Sequence, residues 1–291
     1  MIPFDYVKPE TVAQLVDGLR ISGSEGAVLA GGTDLLVKIR HGMAFPGVLF
    51  DISELADSRS IIDEGHQLRI GAAVRMSELG TSAAVQRVIP SLATAVYEMS
   101  SRQIRNRATL GGNIVTASPA ADAVPPLLAA GASLVLVGQK GRRETSLAEF
   151  LTGPGKTTLK EGEILLEVIV PDEGAGCISR FVKVGRRKSS AISVVNLASW
   201  MKVGTNHVVN DIRIVLGAVA PTAIRAKRAE EALRGRTPSA KTLAEVARLA
   251  GEECHPISDV RGSDRGRRLL VEGCTLRMLQ SLLGANGEGV A

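Results

Sequence analysis

The hydrophobic pattern of this chain changes character once, at Asp172-Glu173-Gly174-Ala175-Gly176, and that break predicts a fold in two parts. Upstream, apolar residues come in short, alternating runs. Val12, Leu15, Val16 and Leu19 lie on one helical face between Thr11 and Ile21. Ala27–Ala30 reads as a strand stopped by Gly31-Gly32, Leu35–Ile39 as a helical turn, and Val48–Ile52 and Gln67–Ala73 as strands. Ala83–Ser100 keeps a helical period interrupted by Pro90. Ser101–Ala121 reads as a long polar loop before an apolar helix at Ala123–Ala130, and Ser133–Val137 and Ile164–Val170 are strands. Downstream, Ile178–Val184, Ile192–Val203 and His207–Leu216 are long β-branched runs joined by short turns, which predicts an antiparallel meander. Helices follow near Lys227–Leu233, Ala240–Glu252 and Asp264–Leu283, and the GANGEGVA tail reads as a frayed end. A sheet backed by helices is α+β.

Composition narrows the function classes. At 291 residues the chain can bury about three quarters of its unfolded surface. Aromatic residues make up only 3%, so Ile, Val, Leu and Ala must fill the core. The net charge of +5 is spread along the chain without the interleaved aromatics of a single-strand binder, so no nucleic-acid partner is expected. The longest charge-free stretch, Ala123 to Gln139, is broken by Pro125, Pro126 and Gly131 and falls short of the about 20 apolar residues a membrane span needs. Asp5 stands where a signal peptide would carry its apolar region, and cytoplasmic residence is expected. Cys177, Cys254 and Cys274 form no C-x-x-C pair, and His41, His66, His207 and His255 lack metal-ligand spacing.

Two glycine pairs stand out. Leu29-Ala30-Gly31-Gly32-Thr33-Asp34-Leu35-Leu36 follows a strand directly, and Thr109-Leu110-Gly111-Gly112-Asn113-Ile114 lies in the polar middle section. Consecutive glycines can take positive φ, so successive N–H groups can point into one concavity and hold a phosphate oxygen. A tight turn is the alternative reading of each. Gly153-Pro154-Gly155-Lys156-Thr157-Thr158 looks like the end of a P-loop, but Phe150 stands where its first glycine belongs. Neither Gly153/Gly155 nor Gly174/Gly176 has the third glycine of a dinucleotide fingerprint. With little acid–base equipment, the chemistry is expected to come from a cofactor.

The ordered set AGGTDLL (Ala30–Leu36), TLGGNIVTASPAAD (Thr109–Asp122), the opening IPFDYVKPETVAQLVDGL and the segments TGPGKTTL and LGAVAPTAIRAKRAEEAL resembles the FAD subunits of molybdenum hydroxylases. That family includes the medium subunits of aerobic carbon monoxide dehydrogenase and the flavin subunits of bacterial xanthine dehydrogenases. The resemblance covers essentially the whole chain. It implies an FAD-binding half of two α+β subdomains, of the vanillyl-alcohol-oxidase (PCMH) type, over residues 1–173, divided near residue 53. A C-terminal domain of antiparallel sheet and helices is implied over 177–285.

Residue by residue, the resemblance assigns Leu29, Ala30, Gly31, Gly32, Thr33, Asp34, Leu35 and Leu36 to the loop around the FAD pyrophosphate. Thr109, Gly111, Gly112 and Asn113 match a second clamp. Asp122 matches an acid that contacts the cofactor, where it would accept from a ribose hydroxyl; capping the following helix is the other reading. Leu165 matches a backbone contact beside the adenine. Lys183 falls near a lysine beside the flavin, where an ammonium would favour the cofactor's negatively charged reduced form. Ile192 matches a position against the isoalloxazine ring, although a core strand position explains it equally well. Met99 matches a further cofactor contact. The implied function is electron transfer: [2Fe–2S] clusters on a small partner subunit would deliver electrons to FAD, and a molybdenum cofactor on a large subunit would hydroxylate the substrate. The implied assembly is a heterotrimer or a dimer of heterotrimers. A self-contained FAD-dependent oxidoreductase of the same fold is the alternative.

Overall fold

A computed structural model describes residues 3–187 and 190–284. The tail after Gly284 lies outside them. The chain forms two compact units that are not contiguous in sequence: Met1–Leu79, Ser101–Ala117 and Gly131–Pro171 make one, and Gly80–Ser100, Ser118–Ala130 and Asp172–Ala291 the other. The fold class is α+β, and among the described residues no helix is long and apolar enough to cross a membrane.

The first unit holds two main sheets. Asp5–Val7, Val48–Asp51 and Gly26–Leu29 pair in parallel, in that order. The helix Val12–Ser22 covers them because Leu15, Val16 and Leu19 fall on one face and pack with Phe50 and Ile52. Thr11 starts it by accepting the Gln14 N–H, and Gly23, at φ 51°, ends it. The second sheet is antiparallel, in the order Ile61–Asp63, Gln67–Gly71, Ile164–Pro171, Ser133–Gly138 and Gly141–Ser146. Gly153-Pro154-Gly155-Lys156 is a tight hairpin between Leu151–Gly153 and Lys156–Thr157, with Gly155 at φ 68°.

In the second unit, Cys177–Gly185, Ser193–Val203, Val209–Gly217 and Ile224–Arg225 form a meander of neighbouring antiparallel strands. The helices Lys227–Leu233, Ala240–Glu253 and Asp264–Gly284 bury Val195, Leu197, Met201, Ile212 and Ile214 on one face. The other face is covered as well. Phe181, Ala198, Trp200 and Val215 pack with Ala95 and Ala129, from the helices Pro90–Glu98 and Val124–Ala129. Covering on both faces explains why the central strand reads as an apolar run rather than an alternation.

A β-bulge interrupts that strand. Val184 pairs with Val195, but Gly185 pairs with Ser193, so Val194 is the extra residue. Val194 and Val195 consequently both enter the same core. Arg267, 2% exposed, donates to the Val194 carbonyl at 2.6 Å and to the Ala218 carbonyl at 2.9 Å, and pairs with Asp259 at 2.7 Å.

Three expectations change. Ser101–Ala121 is not a continuous loop. Ser101 and Thr109 cap two short helices, Arg102–Arg105 and Leu110–Val115, by accepting the N–H groups of Ile104 and Gly112. Positive φ is found at Gly32 (70°) but not at Gly31, Gly111 or Gly112; the last two lie in the first turn of a helix. Asp122 does not cap the following helix, which spans Val124–Ala129 and has no side-chain cap.

Replacing Arg267 by Met should cost about 2 kcal/mol in denaturant unfolding, because it leaves the Val194 and Ala218 carbonyls without their donor. Hydrogen bonds from Arg261, then from Arg267, hold the Asp259 carboxyl well below its usual range. Its stabilisation is therefore fully present above the ordinary aspartate pKa of about 3.9 and lost as pH falls below it. The Tm gap between wild type and Asp259→Asn should be constant from pH 5 to 8 and narrow in more acidic buffer.

Candidate functional site

In the first unit, the strand Gly26–Leu29 runs into the Ala30–Asp34 turn, and the helix Leu35–Arg40 follows. The N–H groups of Gly31, Gly32, Thr33, Asp34 and Leu35 meet no acceptor among the described residues, and these five residues are half-buried. A row of unused donors on adjacent residues is an anion cradle, needing no charged side chain. Gly32 permits the turn through its left-handed φ. Gly31 is required for a different reason: a Cβ there would sit 1.9 Å from the Arg107 carbonyl oxygen. The Asp34 carboxylate caps none of these amides; it pairs with Lys38 Nζ at 2.7 Å and accepts from the Thr116 hydroxyl at 3.4 Å.

The second glycine pair is built differently from a cradle. Gly111 donates to the Ala72 carbonyl at 2.8 Å, Gly112 to Thr109 Oγ1 at 3.2 Å, and Asn113 to the Thr109 carbonyl at 3.1 Å. These N–H groups are spent inside the fold. What remains for a ligand is the Thr109 hydroxyl proton and the Asn113 side chain, whose Oδ1 is buried with no partner among the described residues. Gly111 is glycine because a Cβ would lie 2.6 Å from Ala72 Cβ and 2.9 Å from its carbonyl. Leu165 is buried in the strand Ile164–Pro171, next to a register shift, and Gln67–Gly71 begins pairing only at Glu167.

In the second unit, Asp122 and Lys183 form an ion pair at 2.6 Å, each side chain 7% exposed. Ser193 Oγ at 2.6 Å and Asn196 Nδ2 at 2.7 Å both donate to Asp122 Oδ1. Lys183 Nζ also reaches the Glu98 carbonyl at 3.5 Å. The Asp122 carboxylate thus has three donors and one acceptor position still open on Oδ2. Met99, the C-terminal cap of Pro90–Glu98, is buried. Ile192 precedes the strand and is 62% exposed, so the core-strand reading of this residue does not hold.

Sequence reasoning missed Ser193 and Asn196. A signal existed: Asn196 is the one amide in the apolar run Ser193–Val203. Arg107, whose backbone closes on Gly31, left no signal at all.

Comparison with known proteins decides the family. The model for the FAD binding domain in molybdopterin dehydrogenase matches residues 2–173, and that for the CO dehydrogenase flavoprotein C-terminal domain matches 180–282. The chain belongs to the FAD subunits of the molybdenum hydroxylases. It is 30% identical to the xanthine dehydrogenase FAD-binding subunit of Escherichia coli over 288 residues, 98% of either chain. It is 34% identical to the carbon monoxide dehydrogenase medium chain of Hydrogenophaga pseudoflava over 264 residues, 90% of this chain and 91% of that one. The solved carbon monoxide dehydrogenase of Hydrogenophaga pseudoflava that lacks the Mo-pyranopterin moiety superposes with a TM-score of 0.93, covering 98% of this chain and 99% of its counterpart. The donor set of this flavin subunit fits FAD: five unused N–H groups suit a pyrophosphate, and an unpartnered Asn113 oxygen suits a hydroxyl.

Gly32→Val should lower bound flavin at least tenfold while the circular dichroism spectrum stays native, because a β-branched residue resists positive φ on the cradle itself. Gly111→Val should instead lower Tm, because its side chain has to displace the Ala72 backbone.

Proposed function

We propose that this chain is the electron-transferring flavoprotein of a three-component hydroxylase. Electrons would arrive from [2Fe–2S] clusters on a small subunit and leave to an external acceptor. The observation that carries the reading is the row of unused donors at Gly31–Leu35 on a chain of this family. FAD, when bound, supplies the capacity to take up and release electrons. This chain's residues would hold it. The Gly31–Leu35 amides would bind the pyrophosphate, Leu29, Ala30 and Leu36 would shape that loop, and Thr109 and Asn113 would meet its remaining hydroxyl and phosphate oxygens. Leu165 would offer backbone to the adenine. Asp122 would accept a ribityl or ribose hydroxyl at its open Oδ2 position, Lys183 would place positive charge beside the flavin, and Ile192 and Met99 would pack on it.

The partner assignment rests on arithmetic. Two [2Fe–2S] clusters at four protein ligands each exceed what three cysteines supply. Relatives named as a subunit and as a medium chain support a place in a multi-subunit enzyme. The proposed partners are a large molybdenum-binding and a small iron–sulfur subunit, in a heterotrimer or a dimer of heterotrimers. Functional domains at 1–173 and 177–285 and a cytoplasmic setting belong to the same proposal.

Acid extraction of the purified chain should release FAD and no FMN on chromatography. The isolated chain should lack hydroxylase activity on purines, heterocycles, aldehydes or carbon monoxide, and gain substrate-dependent flavin reduction only when both partner subunits are added. Substrate-dependent reduction in the chain alone would establish the self-contained oxidoreductase in its place.

A further inference from the structure

A carboxylate–ammonium pair shut away from water is a poor source of stability, because the desolvation of both charges offsets their attraction. The Asp122–Lys183 pair is so enclosed, and it carries two further donors, Ser193 and Asn196, on the same carboxylate oxygen. Asp122 caps no helix, and the single helix-end contact in the group is the long one, 3.5 Å, from Lys183 to the Glu98 carbonyl. We infer that Ser193 and Asn196 are positioning residues that act through Asp122 to set how much of the Lys183 positive charge reaches the flavin. The inference rests on the reading that Lys183 lies beside that cofactor.

The fold places the two donors deliberately. Lys183, Asn196 and Gly217 are cross-strand partners in one row of the sheet, so their side-chain positions share a face. That is the face of Phe181, Ala198 and Trp200, where Pro90–Glu98 and Val124–Ala129 pack. Gly217 makes room for the amide: a Cβ there would lie 2.0 Å from Asn196 Oδ1. Ser193 is three residues from Asn196 and in a regular strand would point to the opposite face. The extra residue Val194 reverses its parity and brings its hydroxyl onto Asp122. The bulge is held by the buried Arg267 at the Val194 carbonyl. Loss of either donor concentrates the Asp122 charge on Lys183. That offsets more of the ammonium and leaves less positive potential for an arriving electron pair.

The test is the two-electron midpoint potential of the flavin in the purified chain, measured against a reference dye in wild type, Ser193→Ala and Asn196→Leu. Each variant is expected to keep its FAD and show about tenfold less preference for the reduced cofactor, a fall of about 30 mV. Gly217→Ala should move the potential the same way by crowding Asn196. Ser199→Ala, whose buried hydroxyl on the same strand meets no partner among the described residues, should leave it unchanged. Unaltered potentials in Ser193→Ala and Asn196→Leu with flavin in place would overturn the inference. So would loss of flavin from both with native circular dichroism, since the residues would then be part of the binding site itself. Should Asn196→Leu not fold, Ser193→Ala decides the matter, because it removes a single hydroxyl. A wild-type chain with no flavin affinity would instead defeat the proposed function, and that result is read before any variant is compared.

Discussion

Burial of one sheet on both of its faces is the constraint from which the second unit follows. Helices cover both sides of the strand from Ser193 to Met201, so no side chain on that stretch can turn to water. Apolar residues satisfy that condition directly, and they fill most of the strand. Every polar residue placed there must find its partner within the protein or remain costly. Lys183, Ser193 and Asn196 meet the demand by converging on one acid. The polar cluster is therefore a consequence of enclosure: a low-dielectric setting that makes each of its hydrogen bonds strong also makes each charge felt at a distance.

The first unit solves a different problem with backbone alone. At Gly31–Leu35 the strand ends before the helix has begun, and the amides between them have no carbonyl to meet. Holding that turn open takes a left-handed residue at Gly32 and close backbone contact at Gly31. The second glycine pair looks the same in sequence and does the opposite, because Thr109 caps a helix there with the Gly112 amide and the Ala72 carbonyl takes that of Gly111. Identical dipeptides thus serve as a donor row in one place and as a packing contact in the other.

Periodicity made the regular elements legible. The helices Lys227–Leu233 and Ala240–Glu253 and the long strands of the meander stand within a residue or two of where apolar spacing puts them, since spacing and burial agree there. The strand Gly141–Ser146 carries Arg142, Arg143 and Glu144 and shows no apolar signal, being an edge strand. The candidate site was legible in its motifs and not in its geometry. Nothing in a one-dimensional pattern tells that Val194 is an extra residue, that Ser193 therefore faces Asp122, or that a distant Arg267 holds the kink. These depend on register, which only pairing with the neighbouring strand defines.

The interleaving of the two units has a consequence for how the chain comes to exist. The covering helices Pro90–Glu98 and Val124–Ala129 emerge from the ribosome long before the strands they cover. Their contacts span large sequence separations, and such contacts form slowly because loop closure precedes any return. Until the meander is synthesised, those helices have no sheet to lie on. A fragment beginning at Asp172 would conversely present Phe181, Ala198, Trp200 and Val215 bare. Expression as separate halves cut at the sequence break is thus expected to yield aggregation-prone pieces, whereas the intact chain carries both sides of its own interface.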